Sequence, residues 1–274
     1  MSRFGVLLDI DGVLCNQQGL MPGAEAFVSD LVDKNIPFMC LTNNSLKKRT
    51  DMALHLQGLG LKIERDQIYT SAMSTARFLA QQQQGCRVYC LGGGGILTAL
   101  EKNGVEVVDD RPDYVIVGEG RDYTLEMIDK AIRFLKEGAR LFAVNLDTQR
   151  ATAFGLRSGC GSIVKMLEEE TGKKAFNLGK PSALMLRGAR KMLGLRASFT
   201  VMIGDHMDTD ILGGIQLGYH TILLMTGRAQ EEELKEYSFQ PDTIIKNLAE
   251  FSVEQLEEII SQKPIDEDYL ITFG

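Results

Sequence analysis

Residues 4–12 read Phe-Gly-Val-Leu-Leu-Asp-Ile-Asp-Gly, an apolar run that ends in two acids and a glycine. The apolar part is too short for an ordinary helix, and it suits a strand that is buried on both faces. The Asp-Gly pair at its end is a turn signal. The stretch therefore predicts a strand over 4–10 that brings two carboxylates, Asp9 and Asp11, to its carboxyl end.

Helices and apolar strands alternate through the rest of the chain. The pattern predicts helices over 23–35, 46–58, 96–103, 124–136, 161–171, 182–193, 209–217 and 248–260, and one that starts at Ser71. It predicts strands over 36–41, 68–69, 87–91, 114–118, 140–145, 199–203 and 219–224. Fully apolar strands that alternate with helices are typical of a parallel sheet covered on both faces. The predicted fold class is α/β, with a doubly wound parallel-sheet core.

A polar run over 81–85, four glutamines and a glycine, interrupts this alternation and suggests a domain hinge. The segment 81–176 contains its own strands and helices, and is long enough for a separate α/β unit. We therefore predict a core of residues 1–80 and 177–274, with an inserted domain of residues 81–176. The total of 274 residues agrees with two domains.

Composition excludes several classes of protein. The net charge of −7 and the lack of long basic clusters argue against nucleic acid as a partner. We expect neither a secretory signal nor a membrane-spanning segment, because no apolar run is long enough. Five widely spaced cysteines favour a reducing, cytoplasmic location over a disulfide framework. The sequence leaves open a homo-oligomer formed through the inserted domain.

Polar residues follow several predicted strands at the point where each strand ends. Asp9 and Asp11 follow the first, Thr42 and Asn43 the second, and Asp205 with Asp210 a later one, while Lys180 precedes a helix. The carboxyl ends of parallel strands face one crevice, where ligands bind. We therefore expect these side chains to converge.

The expected crevice would hold up to four carboxylates and one lysine. Carboxylates crowded in this way take up a proton or a cation. Neither His nor Cys accompanies them, so Mg²⁺ suits the site better than zinc. A bound Mg²⁺ with open positions favours a phosphate ligand. Thr42, Asn43 and the following helix N-terminus offer donors to that phosphate, and Lys180 offers a positive charge.

A carboxylate can act as a nucleophile toward phosphorus and form an aspartyl-phosphate. Asp9, at the end of the strand, is the predicted nucleophile. Asp11 lies two residues further, about 7 Å along an extended chain and on the same face. It is therefore the predicted general acid and base, which protonates the leaving group and later activates water.

This set of residues resembles the four motifs of the haloacid dehalogenase superfamily of phosphohydrolases, in the same order. The stretches LTNNS (41–45), YTSAMSTA (69–76), PDYVIVGEGRDY (112–123), NLDT (145–148), LGKPS (178–182) and GDHMDTDILGG (204–214) are similar to the NagD-like, or nitrophenylphosphatase-like, branch. The resemblance covers about residues 3–227. It implies that the inserted domain is a C2-type cap.

The resemblance also implies roles for individual residues. Asp9 would be the nucleophile, Asp11 the acid and base, and Thr42 and Lys180 phosphate ligands. Asp9, the main-chain carbonyl of Asp11 and Asp205 would hold Mg²⁺, and Asp210 would contact metal-bound water. His206 and the Gln149-Arg150 pair depart from the residues that are common in the family at these positions.

The predicted function is Mg²⁺-dependent hydrolysis of a small phosphomonoester, a nucleotide or sugar phosphate, through an aspartyl-phosphate. Alternatives are a phosphoglycolate or pyridoxal phosphate phosphatase, and a non-catalytic protein that binds phosphorylated metabolites. The polar segment 145–150 of the cap is the predicted specificity loop, with Asn145, Asp147 and Arg150 contacting the leaving group. The alternative for this segment is an ordinary solvated loop.

Overall fold

The structure, a computed structural model, describes residues 4–152, 155–226 and 231–262. Its strands are β1 Gly5–Asp9, β2 Cys15–Asn16, β3 Gly19–Leu20, β4 Phe38–Thr42, β5 Ile68–Thr70, β6 Arg87–Leu91, β7 Glu106–Val107, β8 Tyr114–Val117, β9 Arg140–Ala143, β10 Gln149–Thr152, β11 Gly155–Ser158, β12 Phe176–Asn177, β13 Thr200–Gly204, β14 His220–Leu224 and β15 Thr243–Ile245.

The α-helices are α1 Ala24–Asp33, α2 Arg49–Gly58, α3 Ser71–Gln82, α4 Gly95–Lys102, α5 Leu125–Lys136, α6 Cys160–Thr171, α7 Ala183–Met192, α8 Leu212–Gln216, α9 Glu231–Leu234 and α10 Val253–Gln262. Short 3₁₀ turns lie at Arg65–Gln67, Ala197–Phe199 and Leu248–Glu250. None of the helices in these described ranges is both long enough and apolar enough to cross a membrane.

The described residues form two compact units. The first is drawn from Met1–Cys40, Gly60–Lys62 and Ala189–Gly274, and the second from Leu41–Leu59 and Ile63–Gly188. The predicted cap segment, 81–176, falls inside the second unit. The predicted core segments contribute to both units.

The first unit is built on a parallel sheet in the order β15-β14-β13-β1-β4. β13 pairs with β1 and β14, and β14 pairs with β15, all in parallel. The strand that follows β1 in this sheet, β4, lies on one side of it, and the much later β13 lies on the other. The chain thus adds strands first on one side of β1 and then on the other. The carboxyl end of β1 is therefore a topological switch point, where open α/β sheets bind ligands.

The second unit contains its own parallel sheet, in the order β12-β9-β8-β6-β7. Alternate strand residues point to opposite faces. Val88, Ile116 and Phe142 pack with helices α3 and α4, while their strand neighbours pack with α5 and α6. The apolar runs of these strands therefore bury both faces of the sheet, as the sequence predicts.

Three of the differences from the sequence prediction concern the loop after β9, the first sheet and the helix after β13. The predicted loop over 145–150 ends in a strand, because β10 and β11 form an antiparallel hairpin that starts at Gln149. β15 extends the first sheet beyond β14 and carries no apolar run of the length that marked the other strands. The helix predicted from 209 is preceded by a π-helical turn over Met207–Ile211.

Candidate active site

The first unit brings together three of the predicted carboxylates. Asp9, Asp205 and Asp210 each offer an oxygen, and these oxygens lie within 4.8 Å of one another. All three residues are buried, with 6%, 5% and 0% of their surface exposed. We call these three residues the carboxylate cluster.

The pairing of β1 with β13 explains why Asp9 and Asp205 lie close together. Leu8 pairs with Ile203 across β1 and β13, so the two strands end side by side. Asp9 is the last residue of β1, and Asp205 immediately follows β13. These two carboxylates, which are far apart in the sequence, thus lie together at the carboxyl ends of two adjacent strands.

The π-helical turn supplies the third carboxylate. The Asp210 N–H donates to the His206 carbonyl over 3.0 Å, so the turn folds Asp210 back onto the end of β13. A methyl group at Gly204 would lie 2.2 Å from Asp210 Cβ. Only a glycine at this position allows Asp210 to pack so close to the strand.

Gly12 brings the chain that follows β1 equally close to Asp205. Its φ is +90°, in the region that favours glycine. A methyl group there would lie 2.2 Å from Asp205 Oδ2. Thr226 Oγ1 donates to the Gly12 carbonyl over 2.9 Å and holds this turn in place. Asp11, on the same turn, is exposed, and its carboxyl group is not part of the carboxylate cluster.

The cluster fits a divalent cation by its chemistry. Three buried carboxylates within 4.8 Å repel one another unless positive charge is added. Carboxylate oxygens are the ligands preferred by hard cations such as Mg²⁺. Three of the four residues predicted at the metal, Asp9, Asp205 and Asp210, thus offer oxygens suited to such a cation.

The cysteines do not compete for a catalytic role. All five are buried, and none of them forms a disulfide. Burial raises the pKa of the Cys40 thiol, and the nearby charge of Asp9 raises it further. Burial likewise raises the pKa of Cys160. Both thiols are therefore kept protonated, and a thiol is a poor nucleophile.

The second unit holds the predicted phosphate ligands. Thr42 and Lys180 are buried, with 1% and 4% exposed. The Thr42 hydroxyl accepts the Asn44 N–H over 3.0 Å. Asn43 binds the main chain of Lys180 twice: its Oδ1 accepts the Lys180 N–H over 2.8 Å, and its Nδ2 donates to the Lys180 carbonyl over 3.4 Å.

The predicted specificity residues differ in their surroundings. Asn145 is fully buried, and Asp147 is half-buried with its Oδ2 3.5 Å from Asn43 Nδ2. Arg150 lies in strand β10, and its side chain lies outside the part of the chain that the structure describes.

Sequence reasoning missed several buried polar residues of the second unit. Glu119 is 8% exposed, and its N–H donates to Ser45 Oγ over 2.8 Å. Ser71 Oγ donates to the Asn43 carbonyl over 2.9 Å. Glu119 could have been identified, because it lies just beyond the end of the apolar strand β8, much as Asp9 lies at the end of β1. Ser71 lies in the stretch YTSAMSTA (69–76) that carries part of the family resemblance, but that resemblance assigned it no role.

Comparison with known proteins agrees with this geometry. Residues 6–106 match the model of the haloacid dehalogenase-like hydrolase family, and residues 177–251 match a HAD-hydrolase-like model. The chain is 37% identical over 246 residues to the dihydroxyacetone phosphatase of Corynebacterium glutamicum, covering 90% of each chain. It is 37% identical over 253 residues to the ribonucleotide monophosphatase NagD of Escherichia coli, covering 92% of this chain and all of the relative.

Solved structures give the same result. NagD from E. coli superimposes with a TM-score of 0.86 at 36% identity, over 92% of this chain and 99% of the other. The fold is a parallel-sheet α/β fold, and its carboxylate cluster forms a site suited to a divalent cation. The chain belongs to the haloacid dehalogenase-like hydrolases, in the NagD-like branch. It is a phosphoric monoester hydrolase.

The close approach at Gly204 yields a testable prediction. In Gly204→Ala the added methyl group must displace Asp210, so we expect the melting temperature to fall, at a cost of about 1–3 kcal/mol. If the cluster binds Mg²⁺, the wild-type protein should melt at a higher temperature when Mg²⁺ is added, and Gly204→Ala should not. Gly58→Ala is the matched control, since nothing lies within 4 Å of a methyl group there. A Gly204→Ala protein with the wild-type melting curve and Mg²⁺ response would refute the prediction.

Proposed function

We propose that this phosphatase hydrolyses a small phosphomonoester in a Mg²⁺-dependent reaction, through an aspartyl-phosphate on Asp9. The observation that carries the proposal is the buried carboxylate cluster at the end of β1, in a chain of this family. The relatives named as dihydroxyacetone phosphatase and ribonucleotide monophosphatase favour a sugar or nucleotide phosphate as substrate. We also propose that the protein is cytoplasmic and that its substrate is a small molecule rather than a nucleic acid or a membrane component.

In the first half-reaction, an Asp9 carboxylate oxygen attacks phosphorus, and the bond from phosphorus to the leaving oxygen breaks. Asp11 donates a proton to that leaving oxygen. In the second half-reaction, Asp11 removes a proton from water, whose oxygen attacks phosphorus. The bond to Asp9 then breaks, and inorganic phosphate is released with both carboxyl groups restored.

Other groups of the proposed site would hold the metal ion and the substrate phosphate. Asp9, Asp205 and the main-chain carbonyl of Asp11 would hold the Mg²⁺, with Asp210 binding its water. A bound Mg²⁺ would supply charge stabilisation for the phosphoryl oxygens. Thr42, Asn43 and Lys180 would bind the phosphate, with the lysine acting as a point charge.

The proposed division into core and cap assigns residues 1–80 and 177–274 to the core and residues 81–176 to a C2-type cap. A cap can exclude water and contact the leaving group. The family relationship supports this division. A homo-oligomer formed through the cap is compatible with it.

The decisive experiment is a screen of phosphorylated metabolites, with p-nitrophenyl phosphate as a general substrate, in the presence and absence of Mg²⁺. We expect hydrolysis that requires Mg²⁺, with one metabolite class preferred. Binding of phosphorylated metabolites with no turnover of any of them would instead favour the non-catalytic alternative.

Cap residues should control specificity. We expect Asp147→Ala and Arg150→Ala each to lower kcat/KM for the best metabolite by about tenfold, the effect of one lost polar contact. The value for p-nitrophenyl phosphate should change little, because that substrate offers few polar groups beyond the phosphate. Equal losses for the two substrates, or no loss for either, would show that these residues do not read the leaving group.

A further inference from the structure

Asn145 has no unused polar atom with which to contact a substrate. Its Nδ2 donates to the Asn43 carbonyl over 2.8 Å and to Glu119 Oε1 over 3.2 Å. Its Oδ1 accepts the Asp147 N–H over 3.0 Å, and Cys160 Sγ lies 3.2 Å from the same oxygen. A primary amide has two donor hydrogens and two acceptor sites. Both donors and one acceptor site are in use, and the Cys160 thiol shares its single hydrogen between the other acceptor site and the Asn145 main-chain carbonyl, which lies 3.4 Å from Sγ.

The direction of these bonds also fixes the orientation of the amide. A rotated amide would put its oxygen against a carbonyl and a carboxylate, and its nitrogen against an N–H donor. Asn145 is 0% exposed, so water cannot replace a lost partner. The side chain is held in one position by four neighbours.

The contacts of Asn145 continue to Lys180 through one residue. Asn145 holds the main chain of Asn43, and the Asn43 side chain binds both the N–H and the carbonyl of Lys180. A methyl group at Gly179, the residue before Lys180, would lie 2.7 Å from Asn43 Oδ1. The Asn43 amide is thus packed directly against the chain that carries Lys180.

We propose that Asn145, supported by Glu119, is a positioning residue that holds the Lys180 main chain through Asn43, and that it does not read the leaving group. The inference rests on the proposed function, in which Lys180 binds the substrate phosphate. It revises the role that the sequence predicts for Asn145. Lys180 contacts a group shared by all phosphomonoesters, so loss of its positioning should weaken every substrate equally.

The test compares Asn145→Ala with the wild-type protein in the presence of Mg²⁺. We expect kcat/KM for p-nitrophenyl phosphate and for the best metabolite to fall by the same factor, about tenfold. The Kd for inorganic phosphate, measured by titration calorimetry, should rise by a similar factor. Different factors for the two substrates would overturn the inference in favour of a specificity role.

A double-mutant cycle tests whether Asn145 acts on Lys180 through Asn43. Asn43→Ala removes both side-chain bonds to Lys180, so adding Asn145→Ala to it should change the phosphate Kd by less than about twofold. Multiplicative effects of the two changes would show that Asn145 does not act through Asn43. Asn103→Ala is the control, because it removes a hydrogen bond to Ala99 in the same unit and should leave the phosphate Kd unchanged.

Glu119 provides a second variant if Asn145→Ala fails to fold. Glu119→Ala removes one acceptor of the Asn145 amide. It should raise the Kd for inorganic phosphate and lower kcat/KM for both substrates by the same factor. Glu119→Gln retains an oxygen acceptor of the same length and should restore the wild-type value. A purely structural role would lower the melting temperature of Glu119→Ala without changing the phosphate Kd, and would overturn the inference.

These results separate the inference from the proposed function. A wild-type protein that hydrolyses no phosphomonoester would refute the proposed function and the inference together. A wild-type protein with Mg²⁺-dependent turnover, whose Asn145→Ala variant binds phosphate normally, would refute the inference alone.

Discussion

Asp9→Asn is expected to abolish phosphatase turnover and to leave the fold intact. The amide has nearly the same shape as the carboxylate, but it is a poor nucleophile and a weaker cation ligand. Removal of a nucleophile lowers kcat by several orders of magnitude in other hydrolases, and we expect a loss of at least about 10⁴-fold. The measurement is steady-state hydrolysis of p-nitrophenyl phosphate at saturating Mg²⁺.

A direct readout of the covalent step completes this test. Rapid acid quench of the wild-type enzyme during turnover should yield a phosphorylated peptide that contains Asp9, and Asp9→Asn should yield none. Asp208→Asn is a matched control: this exposed acid accepts a hydrogen bond from Tyr237, outside the carboxylate cluster. Near-normal turnover of Asp9→Asn would exclude the covalent mechanism.

The parallel-sheet architecture is readable from the sequence because its strands are buried on both faces. Such strands must be largely apolar, as residues 5–8 of β1 and Tyr114–Val117 of β8 are, and the helices that come between the strands show their own period. The antiparallel pair of strands β10 and β11 could not be predicted in this way. The described residues of its second strand are exposed, so burial imposes no pattern there.

The candidate site was predictable where polar residues follow apolar strands. Asp9 and Asp205 meet because β1 and β13 pair in parallel with Leu8 opposite Ile203, so the two strands end side by side. Asp210 joins them through a π-helical turn, which has no sequence signal of its own. The burial of Asn145 was not predictable, because a polar residue after a strand can equally face solvent or a buried partner.

Removal of the divalent cation is expected to have the second large effect. After exhaustive treatment with EDTA we expect a loss of activity of about 10³-fold, since a bound cation contributes several kcal/mol of charge stabilisation. Added Mg²⁺ should restore activity fully. Full activity without any divalent cation would show that the carboxylate cluster serves another purpose.

The carboxylate cluster predicts that Asp210→Asn stabilises the protein when Mg²⁺ is absent and destabilises it, relative to the wild type, when Mg²⁺ is present. Without Mg²⁺, the three buried carboxylates repel one another within 4.8 Å, and Asp210→Asn removes one of the charges. The variant should therefore melt at a higher temperature than the wild type in EDTA. With excess Mg²⁺ the wild-type protein should gain several degrees, because the proposed ion site exists only in the folded state, and the variant should gain much less. If Asp210→Asn instead lowers the melting temperature in EDTA, charge repulsion is not the force that makes the cluster bind a cation.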